Sequence, residues 1–506
     1  MTRWILLGTL VAALTWIGCT KPQENVCQGS DCDQRADGGF IIPPPSDGGT
    51  DAGEDTDGGT DAGDDGGSDA GDDGGTDGGC CTDGGVDGGP TEPVGPRSEW
   101  PTDEVKNYST AYSITRGVRS VGVDDGHNIW LLEWDRIGVL TSEKKSVTWV
   151  SGIGQLSSGE LAFGTTVVCG GAPGKAYVGY LTDDNAGQRS DPNDPEFQKG
   201  DVDLVQLNED GSISLQVHLN KTTSTAGYEI GIRNTNDWHF DEDKSVFSCV
   251  KAYKGNSAGE VFIGTNHGVT RIKGDVYNSH IHPVWSETVC NDLGTNCFQS
   301  QRAGYTFALG VAQNGDVLIG NDWMIGRAIP TPDLQYWDRH VCKEGQVCTK
   351  DQLTPFRFVT HVEEVNSLQE FDYWRGIAET TEETTWNGKR ARYMYLGNQR
   401  PENATNPYGL YRMLVTERAD HHVMEIVETV KLDFPHMVSG LAATDDGSLF
   451  VGTYGDGLYR VAPDKSISKV SSVTGGTVRQ IVYDPSATPS MLLVLTDSAL
   501  WVLRGH

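Results

Sequence analysis

Positive charge is what this chain has least of. Its 506 residues carry 39 Lys+Arg against 71 Asp+Glu, a formal net charge of −32, with no basic stripe to offset it. A surface of that sign is a poor match for nucleic acid or for anionic lipid held by charge. Long apolar runs are also scarce. The one of note, Trp4 to Ile17, falls short of the roughly 20 residues that an ordinary bilayer-spanning helix needs. Nothing sustains a 3.6-residue period, so helices are not expected to dominate. The Gly-x-Ser-x-Gly elbow, the His-Glu-x-x-His zinc signature and the Gly-x-x-x-x-Gly-Lys-Ser/Thr phosphate loop are all missing, which leaves the best-marked hydrolase, zinc-protease and nucleotide-binding classes without support. Cysteines at the C-x₂-C spacing of zinc sites are missing too, and neither metal nor cofactor is expected.

What is present begins with an export signal. Arg3 precedes the apolar run, and the run ends in Trp16-Ile17-Gly18-Cys19. A short apolar run closed by a small residue and Cys resembles the bacterial lipobox, with Trp16 standing where Leu is usual. The resemblance implies that residues 1–18 are a signal peptide and that Cys19 is acylated and becomes the first mature residue. Each buried CH₂ of an acyl chain is worth about 0.8 kcal/mol, so several chains hold a protein firmly to a membrane. Thr20 follows where an Asp would imply inner-membrane retention, so the expected location is the outer membrane of the cell envelope, on either face.

Residues 19–97 then read as a tether. Positions 20–97 hold 19 acids, 3 bases and 21 glycines, much of it as Asp-Gly-Gly and Asp-Ala-Gly units between Asp37 and Gly89. With almost nothing apolar to bury, the ordering entropy has no offset and the segment is expected to be disordered, spanning on the order of 50 Å as a Gly-rich coil. Such tracts resemble those of lipoproteins from myxobacteria and their relatives. A calcium loop fits badly: around Asp55-Thr56-Asp57-Gly58 the first ligand position falls on Gly53 and the twelfth on Asp64.

From 98 to 506 one phrase recurs: a short apolar strand, Asp-Asp-Gly or Asn-Gly, a second strand, a Gly-containing turn and a third strand. Its clearest copy is Val438 to Arg460, through Asp445-Asp446-Gly447, Leu449-Phe450-Val451-Gly452-Thr453 and Gly457-Leu458-Tyr459. Others run through Val118–Leu140, Ser257–Arg271 and Phe307–Arg327, with weaker copies centred on Ala176–Gly179, on Tyr393–Gly397 with Gly409–Arg412, and on Leu492–Leu495 with Ala499–Val502. Asp-Gly and Asn-Gly between apolar runs predict hairpins with type I′ turns. Apolar runs without strict alternation predict strands covered on both faces, and small residues at the Gly-Thr step would let strands crowd near an axis. Seven phrases therefore predict an all-β fold, a β-propeller of seven blades, each a four-stranded antiparallel sheet, with a pair of β-sandwiches as the alternative. Exposed insertions are expected at Thr182–Gly200 and Asn398–Tyr408. The alternating segment Val105–Ile114 is expected to supply the outer strand of the last blade and leave no sheet edge free. The copy at 438–460 resembles the two-component regulator propeller repeat, which implies a fold and not an activity.

If Cys19 is acylated, ten cysteines remain, an even number suited to an oxidising compartment. Cys27 with Cys32, Cys290 with Cys297 and Cys342 with Cys348 could each close a small loop, and Cys169 with Cys249 would then join neighbouring blades. Cys80 and Cys81 are adjacent, and either a vicinal or an intermolecular bond suits them.

Candidate chemistry is sparse. His280 and His282 could share one face of a strand, but their surroundings read as a loop; His421 and His422 would point to opposite faces. Glu363, Glu364, Glu379, Glu382 and Glu383 read as an exposed acidic patch. In a propeller the turns between second and third strands share a face with the blade-to-blade loops, and here they carry Trp134, Asp135, Arg136, His267, Asp322, Trp323, Tyr454 and Asp456. These are the candidate ligand-binding residues. The expected function is a non-enzymatic, lipid-anchored binding or scaffold module for a protein, peptide or glycan. The alternative is a lyase or hydrolase of polysaccharide with its site at the central mouth.

Overall fold

The computed structural model describes residues 100–114, 117–144, 146–157, 165–181, 200–219, 245–266, 268–281, 284–290, 297–302, 305–321, 325–328, 359–360, 374–398, 408–417 and 424–506. The signal, Cys19, the tether and Cys27, Cys32, Cys80 and Cys81 lie outside them, as do Cys342, Cys348 and nearly all of both expected insertions.

The described residues form an all-β propeller built of four-stranded antiparallel sheets, seven in number, with one further two-stranded sheet, Val284–Cys290 against Cys297–Arg302, inserted between the third and fourth. Each of the seven sequence phrases falls in one four-stranded sheet. In chain order their innermost strands are Ser120–Val123, Thr165–Gly170, Val246–Lys251, Thr306–Val311, Trp374–Trp386, Val438–Ala443 and Val478–Asp484. Each inner strand lies against the inner strand of the next sheet, and that of sheet 7 lies against that of sheet 1. The ring of inner strands is thereby closed.

The close approach between sheets has a repeated cause. The second strands of sheets 2 to 6 carry Gly179, Gly264, Gly320, Gly397 and Gly452, and each abuts the residue that opens the next inner strand. A Cβ built on Gly179 would lie 2.5 Å from Val246, one on Gly397 2.2 Å from Val438, and one on Gly452 2.7 Å from Val478. Gly264 and Gly320 meet Thr306 and Trp374 in the same way. This is the physical content of the Gly-Thr step read in the sequence.

The seam between sheets 7 and 1 is built differently. Leu495 occupies the place of those glycines, opposite Gln480. Polar pins complete the joint: Ser120 Oγ and the Val121 N–H donate to Gln480 Oε1 at 2.8 and 2.9 Å, and His127 Nδ1 meets Asp484 Oδ2 at 2.7 Å.

Sheet 7 takes its outer strand from the other end of the chain, Val105–Asn107 pairing with Leu500–Arg504. The strand is shorter than the alternation of 105–114 predicts. Asn107 caps a helix over Tyr108–Tyr112 by accepting from the Thr110 N–H at 2.9 Å, and Ser113 ends it with φ 54°. The cap diverts the chain so that Tyr108, with Trp100 and Ile114, fills the core between sheets 7 and 1.

The hairpin turns also differ from the type I′ prediction. At Thr444–Ser448 the Gly447 N–H returns to the Thr444 carbonyl, the Thr444 N–H meets the Ser448 carbonyl, and only Gly447 has positive φ. This is a type I turn followed by a left-handed residue. The pattern recurs at Ala312–Asp316 and at Asp124–Asn128, where His127 takes the left-handed place. A two-residue turn with both residues at positive φ occurs at Asn387-Gly388, on the long hairpin of sheet 5. In sheet 1, Asp124 is fully buried and accepts from the Gly126, Asn128 and Gly174 N–H groups and from Trp130 Nε1, so this acid of the Asp-Asp-Gly signature acts as a hydrogen-bond hub.

Of the cysteine pairs, Cys169 and Cys249 form a disulfide that joins the inner strands of sheets 2 and 3. Cys290 and Cys297 stand directly opposite each other in the inserted hairpin.

Two predictions follow from the seams. Gly397→Ala forces a methyl group into Val438 and should cost about 1–3 kcal/mol, read as a lowered thermal midpoint, whereas Ala at the open Gly440 should cost less. Burial pushes the Asp484 carboxyl up, but hydrogen bonds from His127 and Ser486 outweigh it and hold the pKa below the ordinary value. A depressed carboxylate contributes stability that is complete above its unfolded pKa, about 3.9, and lost as pH falls through its folded value. The stability gap between the native chain and Asp484→Asn should therefore be constant above about pH 5 and close on acidification below pH 4.

Candidate functional site

The seven inner strands surround an axial cavity of about 300 Å³. Its walls are mostly small or apolar residues such as Gly122, Gly170, Ala308, Gly310, Gly376 and Ala442, which lets the strands converge. The two ends of the cavity are chemically unlike.

At the end where the inner strands begin, six of the seven break their register. In sheets 2 to 7 the pairing skips one residue between Thr165 and Val167, Val246 and Ser248, Thr306 and Ala308, Trp374 and Gly376, Val438 and Gly440, and Val478 and Gln480. In sheet 1, Arg119 occupies the same step, between buried Val118 and the start of pairing at Ser120. A β-bulge leaves one residue unpaired and re-aims its side chain. The residues at this step are Arg119, Thr166, Phe247, Phe307, Arg375, Ser439 and Arg479. All except Thr166, whose side chain is not among those described, line the cavity.

Read around the ring, these residues sort by character. Sheets 5, 6, 7 and 1 contribute Arg375, Ser439, Arg479 and Arg119, a cationic arc. Sheets 3 and 4 contribute Phe247 and Phe307, which with Tyr305 form an aromatic group with ring centroids 5.0 to 6.1 Å apart. The arcs meet where the Arg375 guanidinium lies 3.8 Å from the centre of the Phe307 ring. Arg119 lies 4.4 Å from the centre of the Trp134 ring, and Arg479 Nη1 donates to the Val118 carbonyl at 3.4 Å. A guanidinium stacked on a ring uses its face and keeps its donors in the plane.

The other end is a floor of ion pairs that cross the ring. Lys251 of sheet 3 is 4% exposed, and its Nζ reaches Asp125 Oδ1 at 2.8 Å and the Val123 carbonyl of sheet 1 at 3.2 Å. Lys254 bonds Gln313 at 2.9 Å and reaches Asp445 of sheet 6 at 3.3 Å. Glu379 accepts from the Gln313 N–H and from Arg392, both at 3.0 Å. Tyr253 lies here too, its hydroxyl pKa driven well above the ordinary value by burial. These struts cross the cavity at this end.

The residues proposed from sequence are placed as follows. Trp134 is 52% exposed, on the rim beside Arg119. Asp135 is exposed next to it. Arg136 is taken up by Glu133, at 2.6 Å, and by the Trp149 ring, at 4.4 Å. Tyr454 donates its N–H to the Met437 carbonyl at 3.0 Å. Asp456 is bound by Tyr459, by Lys469 at 2.9 Å and by His436 at 3.2 Å; the Tyr459 and Lys469 bonds hold its carboxyl below the usual range. None of these five is in the cavity lining. His267, Asp322 and Trp323 lie outside the described residues, with His282, His421, His422, Glu363 and Glu364. In the acidic patch, Glu379 is in the floor, Glu382 pairs with Lys465, and Glu383 pairs with Arg390 and Arg392.

What sequence reading missed is the ring of skipped residues. The signal was the residue between the opening Val, Thr or Trp and the following small or polar residue, as in Val118-Arg119-Ser120, Trp374-Arg375-Gly376 and Val478-Arg479-Gln480. Aligning the phrases on that step would have brought the arginines into one column.

No family model matches the chain, and no curated protein matches it in sequence. Solved structures do resemble it. Virginiamycin B lyase from Staphylococcus aureus aligns at 10% identity and a TM-score of 0.42, over 79% of this chain and 98% of that one. The extracellular domain of a hybrid two component system from B. thetaiotaomicron aligns at 10% identity and 0.42, over 80% of this chain and 42% of that one. YCF48 bound to D1 peptide aligns at 10% identity and 0.41, over 81% and 97%.

Proposed function

We propose that this protein is a binding module of the bacterial cell envelope: a seven-bladed propeller, anchored through acylated Cys19 and held off the outer membrane by the acidic tether of residues 20–97. It engages a protein, peptide or glycan through the face at which the inner strands begin. The observation that carries this reading is the ring of residues at the starts of the inner strands, which gathers cationic and aromatic side chains around one mouth of the axial cavity on an otherwise acidic chain. Aromatic and Arg side chains around a concavity are the groups that anchor recognition. Acid–base catalysis at the mouth would need carboxylates there. The lining carboxylates Glu379 and Asp445 instead lie in the floor, each in an ion pair.

Two experiments test the reading. In cell fractionation, Cys19→Ala should move the protein out of the membrane fraction, and persistence there would refute the anchor. A photo-crosslinking amino acid at Trp134, beside the mouth, should capture a discrete partner from intact cells, while one at exposed Asp464, in the turn packed toward Gly447 on the opposite face, should not. Equal labelling from both positions, or from neither, would refute a binding face at the mouth.

A further inference from the structure

Resting on that reading, we propose that the cavity receives, end-on, a carboxylate attached to an apolar group, such as a small aromatic acid or the carboxy-terminal residue of a peptide. Three features on the ring set this chemistry. First, the cationic side chains are all arginines. A guanidinium grips a planar carboxylate through paired in-plane donors, which an ammonium cannot do. Arg375, Arg479 and Arg119 follow one another on sheets 5, 7 and 1, with only Ser439 between the first two. Second, the opposite arc is aromatic. Phe247 and Phe307 are partly exposed at the same level of the cavity, so a ligand reaching the arginines lies against apolar rings. An inorganic anion would use one arc only, and a neutral apolar ligand only the other. Third, the struts from Lys251 to Asp125 and from Lys254 to Asp445 cross the ring at the other end, so a chain threading through would have to part them. A volume of about 300 Å³ sits at the small end of ligand pockets and suits a terminal residue, not a long segment.

The negative net charge does not oppose this. Half of it lies in residues 20–97, and exposed charges beyond about 10 Å are screened at ordinary ionic strength. The floor's Lys251 is neutralised by Asp125 and adds no competing site.

The test uses the full chain and three probes by calorimetry: 3-phenylpropionate, N-acetyl-Ala-Phe, and the carboxamide of N-acetyl-Ala-Phe. The two acids should bind, and the amide should bind about tenfold or more weakly, the usual worth of a charge-assisted bond. Arg479→Gln, at an exposed position, should weaken the acids about tenfold while leaving the thermal midpoint in place, and Phe247→Ala should weaken them without changing the acid-to-amide ratio. Tighter binding of the peptide acid identifies a chain end as the source; equal binding identifies a small acid. Acid and amide binding alike, or acids that ignore Arg479→Gln, would overturn the proposal. So would probes that do not bind at all. If the Trp134 crosslink still captures a partner, only the ligand chemistry is wrong; if it captures none, the binding face itself is.

Discussion

The spacing between neighbouring sheets governs this molecule. At five of the seams a second-strand glycine touches the first residue of the next inner strand, with no room for a methyl group between them. That contact sets how near the inner strands come to the axis and therefore how wide the cavity is. Packed interiors transmit such constraints because they are dense and barely compressible. At the joint between sheets 7 and 1, where Leu495 stands in the glycine's place, hydrogen bonds through Gln480 and Asp484 fix the contact.

The bulges belong to the same geometry. An inner strand in regular register would alternate its side chains between the two faces of its own sheet, toward the neighbouring sheets. In sheets 3 to 7, skipping one residue at the start of the strand places that side chain in the cavity lining. The fold thereby separates packing from display. Val246, Thr306, Trp374, Val438 and Val478 are buried against the glycines, while the residue after each is left to chemistry. Position by position the ring differs in character, one arc cationic and the other aromatic.

The fold was legible because its signals are local. Apolar runs broken by Asp-Gly or Asn-Gly and followed by Gly-Thr mark strands and turns within about 20 residues, and all seven copies fall in four-stranded sheets. The turn type was misread because one left-handed residue after a type I turn and two in a type I′ turn both ask for glycine. The outer strand at 105–114 was half right: Val105–Asn107 pairs, but a single capping side chain at Asn107 turns the remainder into helix. The cavity mouth is not legible in any single phrase, because a bulge is defined by its pairing partner; only phrases aligned on that step bring the arginines into one column. Trp134 was found by its place in a turn. The arginine it stacks against was hidden in what reads as the start of an ordinary strand.

The way the chain enters the ring has a mechanical consequence. Everything before residue 100 hangs from the outermost strand of sheet 7, which pairs through only three residues, Val105 to Asn107. A pull on that leader would first load Trp100, whose indole N–H donates to the His127 carbonyl at 2.8 Å and whose ring packs against Tyr108 and Tyr112. The aromatic clasp thus takes tension before the strand does. Because the chain runs on from Asn107 into sheet 1, force that overcame the clasp would strip Val105–Asn107 from Leu500–Arg504 and then pass to sheet 1.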